Sequence, residues 1–227
     1  GGMGEVYEIL DGEGGSWALK VLAEDMMDKP GAVERFRKEA RVMSEMDHPG
    51  IVKVDLTGET DGRHWLRMEM AEGREIGGEK AITLQEYLEA NDGRLSEVET
   101  KDLLQSLLTS LEYAHGRGLV HRDLKPANVL FFGDDPKIAD FGLVDAAGAE
   151  WMETQVKNSM VASMMEETLL DSDTGSTGSR SRALMGTFAY MSPEQKEGRE
   201  ADARSDLYAL GLMAREAITG VKSLGMG

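Results

Sequence analysis

The chain has 227 residues, 41% apolar and 30% charged, and its 42 acidic and 25 basic side chains leave a formal net charge of −17. That length suffices for one large domain or two smaller lobes, and so acidic a surface repels phosphate backbones, which argues against nucleic acid as a partner. The lack of cysteine excludes disulfide and thiol chemistry and suits a reducing, cytoplasmic setting, while no apolar run approaches the roughly 18 residues that span a bilayer.

Residues 5–10 and 16–22 read as two strands around the turn Asp11-Gly12-Glu13-Gly14-Gly15, a hairpin. Val33, Phe36, Ala40 and Met43 recur at three-or-four spacing and predict a helix, which Asp47-His48-Pro49-Gly50 ends. Two more strands are expected over residues 51–56 and 64–70. The pattern then turns helical, with a short helix over 84–90 and a longer one carrying Leu103, Leu104, Leu107, Leu108, Leu111 and Ala114 as its apolar stripe. Residues 129–132 and 137–139 are short strand-like pieces, and a last helix covers about 205–219 and stops at Gly220.

The predicted fold class is α+β. A small antiparallel strand lobe with one helix precedes a larger, mainly helical lobe, and the change falls near Met70–Gly73. A cleft between two lobes is a common ligand site. Residues 143–185 do not fit a compact core, being rich in Ser, Thr, Gly and acidic side chains; loops of that length are usually functional or disordered. Within them Met152, Val156, Met160 and Met164 recur every fourth residue, either as an inhibitory amphipathic helix or as a helix that forms transiently and does little.

Transferring a phosphoryl group requires the phosphates held, the metal held and the acceptor hydroxyl oriented. Gly1-Gly2-Met3-Gly4-Glu5-Val6 lets backbone approach phosphates, since glycine lacks a Cβ; taken alone it is equally a glycine-rich strand turn. Lys20 in the second strand and Glu39 on the first helix are ordinary surface residues in isolation. Their order after the glycines suggests a Lys20–Glu39 ion pair that aims the lysine at phosphates. The run His121-Arg122-Asp123-Leu124-Lys125-Pro126-Ala127-Asn128 is far more specific. Asp123 can accept a hydroxyl proton, Lys125 can neutralise a phosphate, and Asn128 offers an amide oxygen to a cation. Asp140-Phe141-Gly142 follows, and its hard carboxylate oxygen suits Mg²⁺.

Together these residues make the chain resemble a eukaryotic-type serine/threonine protein kinase of the bacterial branch, from Gly1 to about Gly220. The bacterial likeness rests on the opening Gly-Gly-Met-Gly-Glu-Val-Tyr and on Tyr190-Met191-Ser192-Pro193-Glu194-Gln195. The resemblance implies a two-lobed kinase fold (1–70 and 71–227, with an activation segment over 140–194) and the use of ATP with Mg²⁺, or Mn²⁺ in its place. It implies that Gly1, Gly2, Met3, Gly4 and Lys20 face the phosphates, and that Val6, Ala18 and Leu130 sandwich the adenine. Met68 would close the back of that pocket, with Glu69 and Ala71 offering it backbone groups. Asp123, Lys125, Lys20 and Glu39 would be the catalytic set, and Asn128 and Asp140 the metal ligands. Met43, His121 and Phe141 would stack to align the lobes, and Asp206 and Gly211 would support the loop from below.

The family also implies regulation. Arg122 would meet a phosphate on the activation segment, with Thr174, Ser176, Thr177 and Ser179 as candidate sites and Thr187 contacting Asp123. Protein substrates bearing Ser or Thr are expected, and a homodimer for autophosphorylation. The family's first loop glycine precedes Gly1 and its last helices follow Gly227, so the chain reads as a fragment in which Glu194 lacks its usual basic partner. The alternative to an active kinase is an impaired, pseudokinase-like nucleotide-binding module. A small-molecule phosphotransferase fits Arg122, Lys125 and residues 186–194 less well.

Overall fold

The computed structural model describes residues 4–27, 31–141 and 188–222, without the side chains of residues 25, 26, 35 and 39. Strands β1 (Gly4–Leu10) and β2 (Ser16–Leu22) form the expected antiparallel hairpin. Asp11 fastens its turn: the carboxylate accepts the backbone N–H of Glu13 at 2.9 Å and of Gly15 at 2.7 Å, and the Trp17 indole N–H at 2.9 Å. A one-turn helix, α1 (Glu24–Met27), follows; its four residues are too few for a periodic signal. Helix α2 (Ala32–Ser44) buries Phe36, Ala40 and Met43 of the predicted stripe, with Ala32 buried at its start and Val33 only partly so.

Strands β3 (Val54–Thr60) and β4 (Arg63–Glu69) complete a four-stranded antiparallel sheet of order β1-β2-β4-β3. The third strand starts later and runs further than its apolar letters suggest. Ile51 and Val52 are fully occupied elsewhere, since Val52 N–H donates to Ile138 O at 2.9 Å and Ile138 N–H to Gly50 O at 2.8 Å. The polar run Thr57-Gly58-Glu59-Thr60 pairs with β4 because Gly58 lies against Trp65, whose ring would meet a Cβ there at 2.4 Å. Asp61 and Gly62, with φ of 50° and 76°, make the two-residue left-handed turn.

The glycine-containing stretch after β4 is a small hairpin, β5 (Arg74–Ile76) and β6 (Glu79–Ala81), turned by Gly77 and Gly78. Its root is fixed by Arg74, whose guanidinium lies 4.6 Å from the Tyr87 ring centre and 3.1 Å from Asp134. Helices α3 (Leu84–Ala90) and α4 (Glu97–His115) each begin with a reciprocal capping box, Thr83 with Glu86 and Ser96 with Glu99. After a 3₁₀ turn at Pro126–Asn128 come β7 (Val129–Phe132) and β8 (Asp135–Ile138), then α5 (Pro193–Lys196) and α6 (Ala203–Thr219). Helix α6 is capped by Asp202 and ended by Gly220 at φ 70°.

One apolar cluster runs from Ala18, Phe36 and Met43 under the sheet, through Ile138 and Phe141, to Leu107, Leu111, Leu210 and Met213 between α4 and α6. Each fully buried Leu or Phe in it contributes roughly 1.5–3 kcal/mol. The sheet and α2 thus sit on one side, and the helical part on the other, of a shared core. No helix among the described residues is long and apolar enough to cross a membrane.

Candidate active site

Strand register decides what the sheet shows to the cleft. Val6 lies opposite Lys20, Lys20 opposite Leu66, and Ala18 opposite Met68, so these side chains share one face. Ala18 and Met68 are buried, whereas Val6 stays exposed at the rim. Gly4 begins β1 where a Cβ would stand 2.2 Å from the Val21 carbonyl oxygen, so a side chain there has no room.

Lys20 is only 7% exposed, and its ammonium lies 2.7 Å from Asp140 Oδ1. Burial alone would push the Asp140 carboxyl up. The Lys20 charge and hydrogen bond outweigh that and hold it below its ordinary value. The expected Lys20–Glu39 pair lies outside the described side chains, so Asp140 is the described partner of Lys20. Asp140 has φ 59°, a left-handed conformation that a non-glycine residue keeps only where its surroundings hold it.

The loop after α4 is held from below. The Asp206 carboxylate, 1% exposed on α6, accepts the N–H of His121 and of Arg122, both at 2.8 Å, and meets His115 Nε2 at 2.7 Å. His121 is fully buried and 4.8 Å from the Phe141 ring. Its Nδ1 accepts the Asp123 N–H at 3.2 Å, so its proton sits on Nε2, 2.8 Å from the Ala139 carbonyl. Met43, His121 and Phe141 are all buried in the shared core.

Within the loop, Lys125 Nζ pairs with Asp123 Oδ2 at 2.8 Å. Asn128 donates its amide to the Asp123 carbonyl at 2.7 Å and to Asp123 Oδ2 at 3.2 Å. With both amide hydrogens so used, Oδ1 is the part of Asn128 left for a cation. Asp140 likewise spends Oδ1 on Lys20 and keeps Oδ2. An amide oxygen and a carboxylate oxygen are hard donors of the kind Mg²⁺ takes alongside phosphate and water oxygens, so these residues fit a divalent ion.

At the back of the cleft, Met68 is buried and Ala71 nearly so; Leu130 on β7 is half-buried on the other side. The Glu69 carboxylate is taken up by Lys137 and the Lys53 backbone. Lys137 Nζ lies 2.8 Å from both of its oxygens, and the Lys53 N–H donates to Oε1 at 2.8 Å. Glu69 and Ala71 thus keep only backbone for a ligand.

Gly1, Gly2 and Met3, the stretch 152–164, and Thr174, Ser176, Thr177, Ser179 and Thr187 lie outside the described residues. At Glu194 the Ser205 hydroxyl, rather than a basic side chain, donates to the carboxylate and holds it below the ordinary value. The sequence reading also passed over His115, Lys137 and Gln195. His115 closes the helix that leads into the loop, and that position was a usable signal. The other two reach the site through contacts distant in sequence, Lys137 to Glu69 and Gln195 to the Arg122 carbonyl.

A lysine held under a sheet against one carboxylate, Asp140, beside a loop that carries a second carboxylate, an amide and a second lysine, defines the two-lobed class of phosphotransferase. Residues 1–225 match the protein kinase domain, and the chain belongs to that family, whose members use ATP with a divalent cation. It is 36% identical over 227 residues to the serine/threonine-protein kinase PknA of Mycobacterium tuberculosis, covering 97% of this chain and 44% of that protein. It is 32% identical to the serine/threonine-protein kinase PrkC of Bacillus subtilis, covering 97% of this chain and 29% of that one. The crystal structure of the M. tuberculosis PknI kinase domain superposes with a TM-score of 0.67 at 28% identity, over 98% of this chain and 70% of that one. The chain therefore spans under half the length of these two curated relatives.

Proposed function

We propose that the protein transfers the γ-phosphate of ATP to serine or threonine hydroxyls of protein substrates, with Asp123 as the base. The observation that carries this reading is the convergence of Lys20, Asp123, Lys125, Asn128 and Asp140 on one cleft, through contacts of 2.7–3.2 Å. Asp123 takes the hydroxyl proton as the hydroxyl oxygen bonds to the γ-phosphorus and the bond to the ADP oxygen breaks. Lys125, already beside Asp123, offsets charge on the phosphate in flight. Lys20 reaches the α- and β-phosphates from the sheet; Val6, Ala18, Met68 and Leu130 enclose the base, which the Glu69 and Ala71 backbone meets. Mg²⁺, held by Asp140 and Asn128, would supply charge neutralisation of the phosphates. An ATP-dependent reaction fits a cytoplasmic setting, which is part of the proposal.

The test is phosphate incorporation into a generic basic protein by wild type and Asp123→Asn. A positioned base contributes about 10²–10⁴-fold, so the variant falls by that range with ATP binding kept. Equal incorporation by both would refute the role given to Asp123. Inactivity of wild type with nucleotide still bound would favour the pseudokinase-like alternative. The proposal extends to autophosphorylation at Thr174, Ser176, Thr177 or Ser179 between two copies, read by Arg122. Phosphosite mapping after incubation with Mg·ATP checks it, and an unmodified segment on an active enzyme would count against it.

A further inference from the structure

Gln195 on α5 is 3% exposed, and its amide is used at both ends. Oε1 accepts the Ser192 backbone N–H at 3.0 Å and the Ser192 hydroxyl at 3.1 Å. Nε2 donates to the Arg122 carbonyl at 2.6 Å, across 73 residues of sequence. Arg122 sits at φ 66°, a conformation that a side-chain-bearing residue keeps only where neighbours over-determine it.

That carbonyl belongs to the peptide unit whose N–H is that of Asp123. A peptide unit is planar, so fixing its two ends fixes its orientation. Gln195 holds the oxygen end, and His121 Nδ1 holds the N–H end at 3.2 Å. The preceding unit is held by Asp206 through the Arg122 N–H at 2.8 Å. The direction in which the Asp123 side chain leaves the backbone follows from these three contacts. Two come from the loop itself and α6; the third comes from the segment that carries Ser192, Pro193 and Glu194.

We propose that Gln195 is a positioning residue for the phosphotransfer step, holding the Arg122–Asp123 peptide so that Asp123 meets the acceptor hydroxyl. The inference rests on the kinase reading above. It makes the α5 segment a condition of catalysis: displacing α5 releases the Arg122 carbonyl and turns Asp123 away, while Lys20 and the nucleotide pocket stay as they were.

The test compares wild-type protein with Gln195→Met, which keeps volume but neither donates nor accepts, and with Gln195→Glu. The Gln195→Met variant loses about tenfold or more in kcat, with KM for ATP within about twofold of wild type. In Gln195→Glu the ionised carboxylate still accepts from Ser192 but cannot donate to Arg122, and on protonation it can. The ratio of its kcat to that of wild type therefore rises toward acid. Arg122, Asp123, Tyr190 and Asp206 line the same small cavity, with Glu194 and Lys196 on α5 itself; all are common to both proteins, so the ratio isolates residue 195. Hydrogen exchange supplies a readout independent of turnover. Peptides covering 120–124 exchange faster in Gln195→Met, and peptides covering 103–111 do not. A kcat within twofold of wild type, a ratio flat with pH, or unchanged exchange at 120–124 would overturn the proposal. Inactivity of wild type would overturn the kinase reading instead, and the exchange result would still decide the role of Gln195.

Discussion

Replacing Asp206 by Asn tests how the loop from His121 to Asn128 is held. The carboxylate accepts three hydrogen bonds with almost no exposure: Arg122 N–H on Oδ1, and His121 N–H with His115 Nε2 on Oδ2. An amide has one oxygen. In its better orientation it keeps the Oδ2 partners, now without charge, and points its own N–H groups at the Arg122 N–H. One charge-assisted bond, worth about 1.5–3 kcal/mol, is lost, and one buried N–H is left unsatisfied at about 1–3 kcal/mol. The sum, about 2.5–6 kcal/mol, brackets the roughly 3–5 kcal/mol that breaking a buried charged network usually costs. A chain of this size shifts by roughly 2–4 °C per kcal/mol, so Tm should fall on the order of 10 °C. Differential scanning calorimetry measures that, and kcat should fall with it, since Arg122 and Asp123 lose their support. A Tm within about 3 °C of wild type, with kcat intact, would show that Asp206 does not carry the loop.

Other substitutions have equally definite outcomes. In Gly4→Ala the new Cβ stands 2.2 Å from the Val21 carbonyl, and forcing β1 from β2 should cost about 1–3 kcal/mol in urea unfolding and raise KM for ATP. In Gly50→Ala the Cβ meets Ser110 Oγ at 2.1 Å, whereas Ser110 Cβ is 3.4 Å away. Adding Ser110→Ala should therefore recover stability, and the double-mutant cycle should show a coupling above about 0.5 kcal/mol. The Trp17 indole, then the N–H groups of Gly15 and Glu13, hold the Asp11 carboxyl below its ordinary value. Because the folded value is depressed, the turn is stabilised above the ordinary carboxylate range and loses that support as pH falls below about 4. The assigned Trp17 indole N–H resonance should report the loss, and Asp11→Asn should abolish its pH dependence.

The parts of the fold legible in sequence are those with a local cause. The stripe Phe36, Ala40, Met43 and the run Leu103 to Ala114 specify helices because burial on one face imposes a period. The capping pairs at Thr83 and Ser96 mark where α3 and α4 begin. Residues 57–60 carry no apolar alternation, and the contact that makes them strand, Gly58 against Trp65, leaves no local pattern. The β5–β6 hairpin was illegible because what fixes its root, Arg74 against Tyr87 and Asp134, spans up to 60 residues of sequence. At the site, the eight residues from His121 identified the loop, since their order has few uses. The partners that orient it could not be named from letters alone, apart from Asp206: Gln195 binds a backbone carbonyl, and a backbone carbonyl leaves no mark in a sequence.

The Glu69 carboxylate joins three separate stretches of chain at the point where the sheet passes into the helical part: its own strand end, the Lys53 backbone, and Lys137 on β8. Mechanically this is a pinned joint. When the two lobes rock, the material near the pin travels least and the far rim of the cleft travels most. The end of the cleft beside Glu69 should thus keep nearly constant width, while the Gly4 end of β1 travels further. Under the proposed function, nucleotide exchange would then be governed at that end rather than beside Glu69.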